Sequence, residues 1–199
     1  MKKLMLAGCA LLALNGTALA QEAGSWEIRT GPYLVAPKSD NHPVVNVDDG
    51  FALGLAFTYF FRDNWAVEVL AATPFSHDIN LNADGSEVGE TRHLPPTFSL
   101  QYWFPTDNAF KPYVGAGVNY TLFFDEETTG ALEGVDLDLD GSFGLAAQVG
   151  ADFEINDKWT IGANVRWIDI DSEAELDGVS IGDVEIDPWV YGLTVGYRF

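Results

Sequence analysis

The chain has 199 residues, enough for a single domain of moderate size. Thirty acidic residues against ten Lys and Arg give a net charge of −20, which argues against nucleic acid and anionic membrane surfaces as partners. Cys9 is the only cysteine, so no disulfide framework exists, and no run of eighteen apolar residues follows residue 20, so no transmembrane helix is expected.

The first twenty residues read as a secretory signal peptide. Lys2 and Lys3 form the basic start, Leu4 to Leu14 the apolar stretch, and Ala18-Leu19-Ala20 a small-x-small cleavage site before Gln21. A lipoprotein site at Cys9 is the rival reading, but it leaves too short an apolar core. Residues 21–199 are then one domain of an exported protein, stabilised without disulfides.

From Trp26 onward, side chains alternate with the period of two that marks strands. The first strand, Trp26 to Val35, sends Trp26, Ile28 and Leu34 one way and Glu27, Arg29, Gly31 and Tyr33 the other. The second, Phe51 to Phe61, sets Phe51, Leu53, Leu55 and Phe57 against Ala52, Gly54, Ala56 and Thr58. The third, Trp65 to Phe75, sets Trp65, Val67 and Val69 against Ala66, Glu68 and Leu70. The fourth, Leu94 to Phe104, sets Phe98, Leu100 and Tyr102 against Thr97, Ser99 and Gln101. The fifth, Lys111 to Phe124, sets Val114, Val118 and Leu122 against Gly115, Asn119 and Thr121. The sixth, Phe143 to Phe153, sets Leu145, Val149 and Phe153 against Ala146, Gln148 and Asp152. The seventh, Trp159 to Ile170, sets Ile161, Val165 and Trp167 against Thr160, Asn164 and Arg166. The eighth, Trp189 to Phe199, sets Trp189, Leu193 and Tyr197 against Gly192, Thr194 and Arg198.

On the apolar faces, aromatics sit at the ends and aliphatics in the middle. Rings favour the two membrane interfaces and aliphatics the hydrocarbon, so this pattern suits a strand crossing a bilayer. A span such as Phe51 to Phe61 also matches the roughly 9–11 residues that a tilted strand needs. A soluble sandwich would bury the aliphatic face instead. Three connections are short (62–64, 105–109 and 156–158) and four are long (36–49, 76–93, 125–142 and 172–187). Short turns on one side and long loops on the other are the habit of bacterial outer-membrane barrels. The expected fold is therefore all-β: an eight-stranded antiparallel transmembrane β-barrel with short periplasmic turns and long extracellular loops.

Six segments carry a family resemblance: LPPT at 94–97, QYWF at 101–104, KPYVGAGVNYTLFF at 111–124, SFGLAAQ at 142–148, WIDID at 167–171 and DPWVYGLTVGYRF at 187–199. In this order they resemble the outer-membrane protein W (OmpW) family, which includes the alkane-uptake barrel AlkL. The resemblance implies a narrow, largely hydrophobic passage, uptake of small hydrophobic molecules, and exit sideways through the wall. It also implies outer-membrane lipid and lipopolysaccharide as surroundings and no cofactor. The closing Tyr197-Arg198-Phe199 resembles the signal read by the barrel-assembly machinery during insertion.

Several inward positions are charged or polar. Glu27, Arg29, Glu68, Gln101, Gln148, Asp152, Arg166 and Arg198 are expected to pair inside the lumen as a plug, because an eight-stranded interior is nearly filled by side chains. A thin hydrophilic channel is the alternative. Nearer the extracellular end, Leu70, Phe123, Ile168 and Ile170 continue the inward faces with apolar side chains and outline a cup for substrate passage, unless a bulge swaps the faces. Pro95 and Pro96 cannot donate to a ladder, so they mark either a lateral opening in the wall or simply the entry of the fourth strand.

The loops are acidic, and Asp136 to Gly141 mimics the start of a calcium loop. Its twelfth position is Ala147 rather than Glu, and Val135, Leu137 and Leu139 alternate like a strand, so a helix-loop-helix calcium site is rejected and no metal ligand is assigned; the acidic run reads as a solvated face, with loose divalent-cation binding at the rim as the alternative. His42, His77 and His93 fall towards the extracellular side without a nucleophile motif, which gives no support for an enzyme. A transporter for small hydrophobic molecules and a non-conducting structural or surface-interaction barrel remain the two main readings.

Overall fold

The computed structural model describes residues 21–38 and 43–199, so the expected signal peptide and His42 lie outside the described residues. Within them the strands are β1 (Trp26–Ala36), β2 (Val45–Val47), β3 (Gly50–Arg62), β4 (Trp65–Ala72), β5 (Phe75–Leu81), β6 (Glu87–Leu94) and β7 (Thr97–Trp103). Then come β8 (Phe110–Thr128), β9 (Leu137–Leu139), β10 (Ser142–Glu154), β11 (Trp159–Ile168), β12 (Asp171–Leu176), β13 (Val179–Glu185) and β14 (Trp189–Arg198).

A strand in lipid cannot leave its backbone donors open, so pairing must continue until no edge remains. Eight strands meet that demand in the order β1-β3-β4-β7-β8-β10-β11-β14, every neighbour antiparallel. β14 then returns to β1 through Glu27↔Arg198 and Ile28↔Tyr197, and the barrel is closed. The alternation decides which face is which. On β14, Leu193 is 65% exposed and its neighbour Thr194 only 3%, as an aliphatic lipid face and a packed lumen require. Trp26 with Tyr59, Trp65 with Tyr102 and Trp159 with Tyr197 form ring pairs at the periplasmic rim, with centroids 4.5, 5.0 and 4.9 Å apart. Phe51, Phe143 and Trp189 mark the opposite rim.

Strands enter all four long connections among the described residues, and 76–93 and 172–187 are mostly hairpin rather than open loop. β5 and β6 form a hairpin in register Phe75↔His93, with β2 added beyond β5 and the long β8 beyond β6. β9, β12 and β13 make a second small sheet, whose β12–β13 turn uses Asp177 and Gly178 at positive φ of 50° and 73°. The two sheets stand as a crown above the membrane rim. Two expected strands therefore divide. The third stops at Ala72 and resumes as β5, and the fourth begins at Thr97, with Pro95 and Pro96 lying between it and β6.

Candidate functional site

The lumen is layered, and the layers follow from where along each strand the inward residues fall. Near the periplasmic end, Phe60, Ala66, Trp103 and Tyr113 form a buried cluster. Trp103 stacks on Tyr113 with centroids 4.3 Å apart and meets Phe60 at 5.5 Å. The Arg29 guanidinium lies over both the Tyr113 and Trp103 rings, 5.0 and 5.5 Å from their centroids, where a desolvated cation is attracted by the ring faces.

Arg29 joins this floor to a network of buried charge. It pairs with Glu68, donates to Thr58 Oγ1 at 3.1 Å and to the Tyr113 hydroxyl at 2.9 Å, and lies 3.6 Å from Asp152. The other Glu68 oxygen accepts from Arg166 at 2.7 Å and from Gln148 Nε2 at 3.0 Å, and Arg166 also donates to Gln148 Oε1 at 2.8 Å. Arg198 lies 3.4 Å from Glu27 and 4.0 Å from Asp152, and it pairs with Glu154 at the rim. Three buried arginines thus face three buried acidic side chains, Glu27, Glu68 and Asp152. Gln101 stands apart from these pairs and accepts from Trp103 Nε1 at 3.0 Å. Tyr113, Thr58 and Thr160, which donates to Glu27 at 2.8 Å, are members that the sequence reading did not single out.

Above the charged layer the lumen turns apolar. Leu70, Ile168 and Ile170 are buried with Tyr33, Val35 and Phe75, and Phe123 packs against the same cluster. A cavity of about 60 Å³ sits at the level of the crown. Phe123 lines it, whereas Leu70, Ile168 and Ile170 do not; they belong to the apolar cluster below. The cavity wall comes mostly from the crown: Ile79 and Val88 on one sheet, Leu139, Ala174 and Val184 on the other. His77 and His93 also line it. Burial pushes both imidazoles below their ordinary range, His93 to about 3.

The barrel wall is interrupted beside this apolar region. The β4–β7 ladder ends at Leu70↔Thr97, and the β5–β6 ladder starts at Phe75↔His93. Residues 71–74 and 94–96 between these pairs are not matched across the seam. Each lip is held by its outer neighbour instead. Thr73 donates its amide to the Leu53 carbonyl at 2.9 Å, and the Pro96 carbonyl accepts from the Tyr120 amide at 3.1 Å and from Asn119 Nδ2 at 3.2 Å. Pro95 and Pro96 thus lie in the unpaired stretch between β6 and β7, not within a strand.

The OmpW family model matches residues 22–199. The chain is 44% identical over 217 residues to Outer membrane protein W of Vibrio cholerae, covering 99% of this chain and all of the relative. It is 30% identical over 162 residues to Outer membrane protein AlkL of Ectopseudomonas oleovorans, covering 78% and 69% of the two chains. Among solved structures, the outer membrane protein OprG of Pseudomonas aeruginosa is similar with a TM-score of 0.80 at 36% identity, over 90% of this chain and 97% of that one. These relatives are outer membrane proteins, and no family of enzymes is matched.

Proposed function

Because this chain belongs to the OmpW family of outer-membrane barrels, we propose that it passes small hydrophobic molecules from the cell exterior into the outer membrane, through the apolar cup and out sideways between the lips at residues 71–74 and 94–96. One observation carries this reading: an apolar cavity stands above a charged and aromatic stopper, next to a seam without ladder bonds. The stopper disfavours an apolar molecule continuing along the axis, because displacing Arg29, Glu68 or Arg166 from its partners would strand buried charge. The seam supplies a side route at the height where the lumen is apolar. Outer-membrane lipid is the destination. Lipopolysaccharide around the crown and the barrel-assembly machinery at Phe199 complete the surroundings that this reading assigns. The leader at residues 1–20 is its export signal.

The test is the rate at which cells with and without the protein take up a small alkane, beside a variant with Pro95→Val and Pro96→Val. The valines restore two backbone donors to the seam, and slower uptake by a correctly folded variant is expected. Equal uptake with and without the protein would end the transport reading and leave a structural barrel.

A further inference from the structure

We propose that the crown cavity selects apolar molecules bearing a neutral hydroxyl group, an alcohol or a phenol, through His77, Thr91 and His93. The proposal deepens the uptake reading above and rests on it.

The three residues share the inner face of one hairpin. β5 and β6 pair Phe75 with His93 and His77 with Thr91, which sets both imidazoles on the cavity side. The two rings stack at 4.9 Å and 13°, with Phe75 against His93 at 5.4 Å and Phe123 tilted over His93 at 5.7 Å. All three side chains are sealed from solvent: His77 and His93 are 2% exposed and Thr91 is 3%.

Their hydrogen-bonding groups are mostly unused. His77 Nδ1 donates to the Asp48 carbonyl at 2.6 Å, so its Nε2 carries a lone pair. That Nε2, both ring nitrogens of His93 and Thr91 Oγ1 have no partner among the described residues. Burying such groups unpaired is costly, and apolar side chains of similar shape would fill the same space at no such cost. The rest of the wall is apolar except for Ser172, whose hydroxyl already donates to the Asp140 carbonyl at 2.8 Å.

The pattern of donors and acceptors chooses the ligand. A hydroxyl donates to His77 Nε2 and accepts from the His93 N–H or from Thr91, while its hydrocarbon body meets Ile79, Val88 and Phe123. A hydrocarbon leaves all of these groups open. A ketone only accepts, and leaves His77 Nε2 bare. A carboxylate finds no Lys or Arg among the lining residues, and Asp48, Asp49 and Asp78 near His77 repel it. Both imidazoles are held neutral by burial, so no charged partner is called for. The volume of about 60 Å³ exceeds several-fold the roughly 10–15 Å³ one water needs, which leaves room for a small molecule.

The experiment titrates the full chain in lipid nanodiscs, with ¹⁵N-labelled histidine, against phenol, toluene and benzoate. Phenol is expected to shift the ring nitrogens of His77 and His93, toluene to perturb only neighbouring apolar groups, and benzoate to do neither. Replacing His77→Leu, His93→Leu and Thr91→Val together removes the nitrogens and the hydroxyl while nearly keeping the side-chain volume around the cavity. It should weaken phenol roughly 10–30-fold, as expected for two neutral hydrogen bonds, and leave toluene unchanged. Toluene binding with no advantage for phenol, or a phenol preference surviving the triple variant, overturns the proposal while the uptake reading stands. Failure of both phenol and toluene to reach the cavity overturns both. The wild-type titration needs no variant, so a misfolded substitution does not protect the idea.

Discussion

Glu68→Gln is the sharpest probe of the charged layer. Both Glu68 oxygens accept from donors: one from Arg29, the other from Arg166 at 2.7 Å and Gln148 at 3.0 Å. Glutamine offers one oxygen and one NH₂, so in either orientation a donor faces a donor. The substitution also leaves three buried arginines opposite two buried carboxylates. Breaking a buried ion pair on one side costs about 3–5 kcal/mol, since the orphaned charge stays desolvated. That is roughly a hundred- to several-thousand-fold in the folded-to-unfolded ratio. With a urea slope of about 2 kcal/mol per molar, the midpoint should fall by about 2 M. The six tryptophans report it through fluorescence in lipid vesicles. Replacing Glu68 by Leu together with Arg166→Met should recover much of the loss, because one charge of each sign is then removed and Arg29 keeps Asp152 at 3.6 Å as its counter-charge. A midpoint shift below about 0.5 M for Glu68→Gln would refute the claim that these contacts hold the lumen together.

Three further outcomes follow from other parts of the molecule. Leu193→Arg places a charge in the middle of a lipid-facing strand and should cost about 2–4 kcal/mol, or stop insertion, as read by the heat-modifiable gel shift; an unchanged barrel would contradict the assigned outer face. Gly117→Val drives a side chain against the Phe98 carbonyl on β7, and the folded band should be lost, whereas Val118→Leu on the lipid face should be tolerated. Acidification should loosen the crown before the barrel. His93 stays neutral when folded until about pH 3 but takes a proton near pH 6.5 when unfolded. Stability is therefore full above pH 6.5 and falls as pH drops towards 3, by about 3 kcal/mol at pH 4.5. Hydrogen exchange of β5 and β6 amides at pH 7.5 and 4.5 should show this, and His93→Phe should flatten it.

The faces of the eight staves were readable because a period of two leaves no third option. Once Trp26 or Phe51 points to lipid, Arg29 or Ala52 must point inward. The inward apolar run through Leu70, Ile168 and Ile170 was readable for the same reason. The crown was not. In β5, Phe75, His77 and Ile79 are buried while Ser76 and Asp78 are exposed, so the alternation persists. Its outer face meets water rather than lipid, however, and a search for aliphatic outer faces passes over it. The four-residue pattern at 171–174, with Ser172 and Ala174 inward and Asp171 and Glu173 outward, is hidden in the same way. Partner choice in the lumen depends on how the strands are staggered around the barrel, which no single strand encodes. Arg29 reaches Glu68 and Tyr113 on two other staves for that reason. The histidines were weighed only as catalysts, and their meeting needed the Phe75↔His93 register.

The seam beside the cup has a consequence for how the barrel lives among its neighbours. Any break in a sheet creates two exposed edges, and an exposed edge is a template on which a foreign strand can grow. Here the edges are a few residues long, and Pro74, Pro95 and Pro96 remove donors from them. An intruding strand finds little to bind, and the two lips find little to zip together. The unpaired stretch thus neither zips shut nor invites aggregation in a crowded membrane, and it is kept so by the amide hydrogens that its prolines lack.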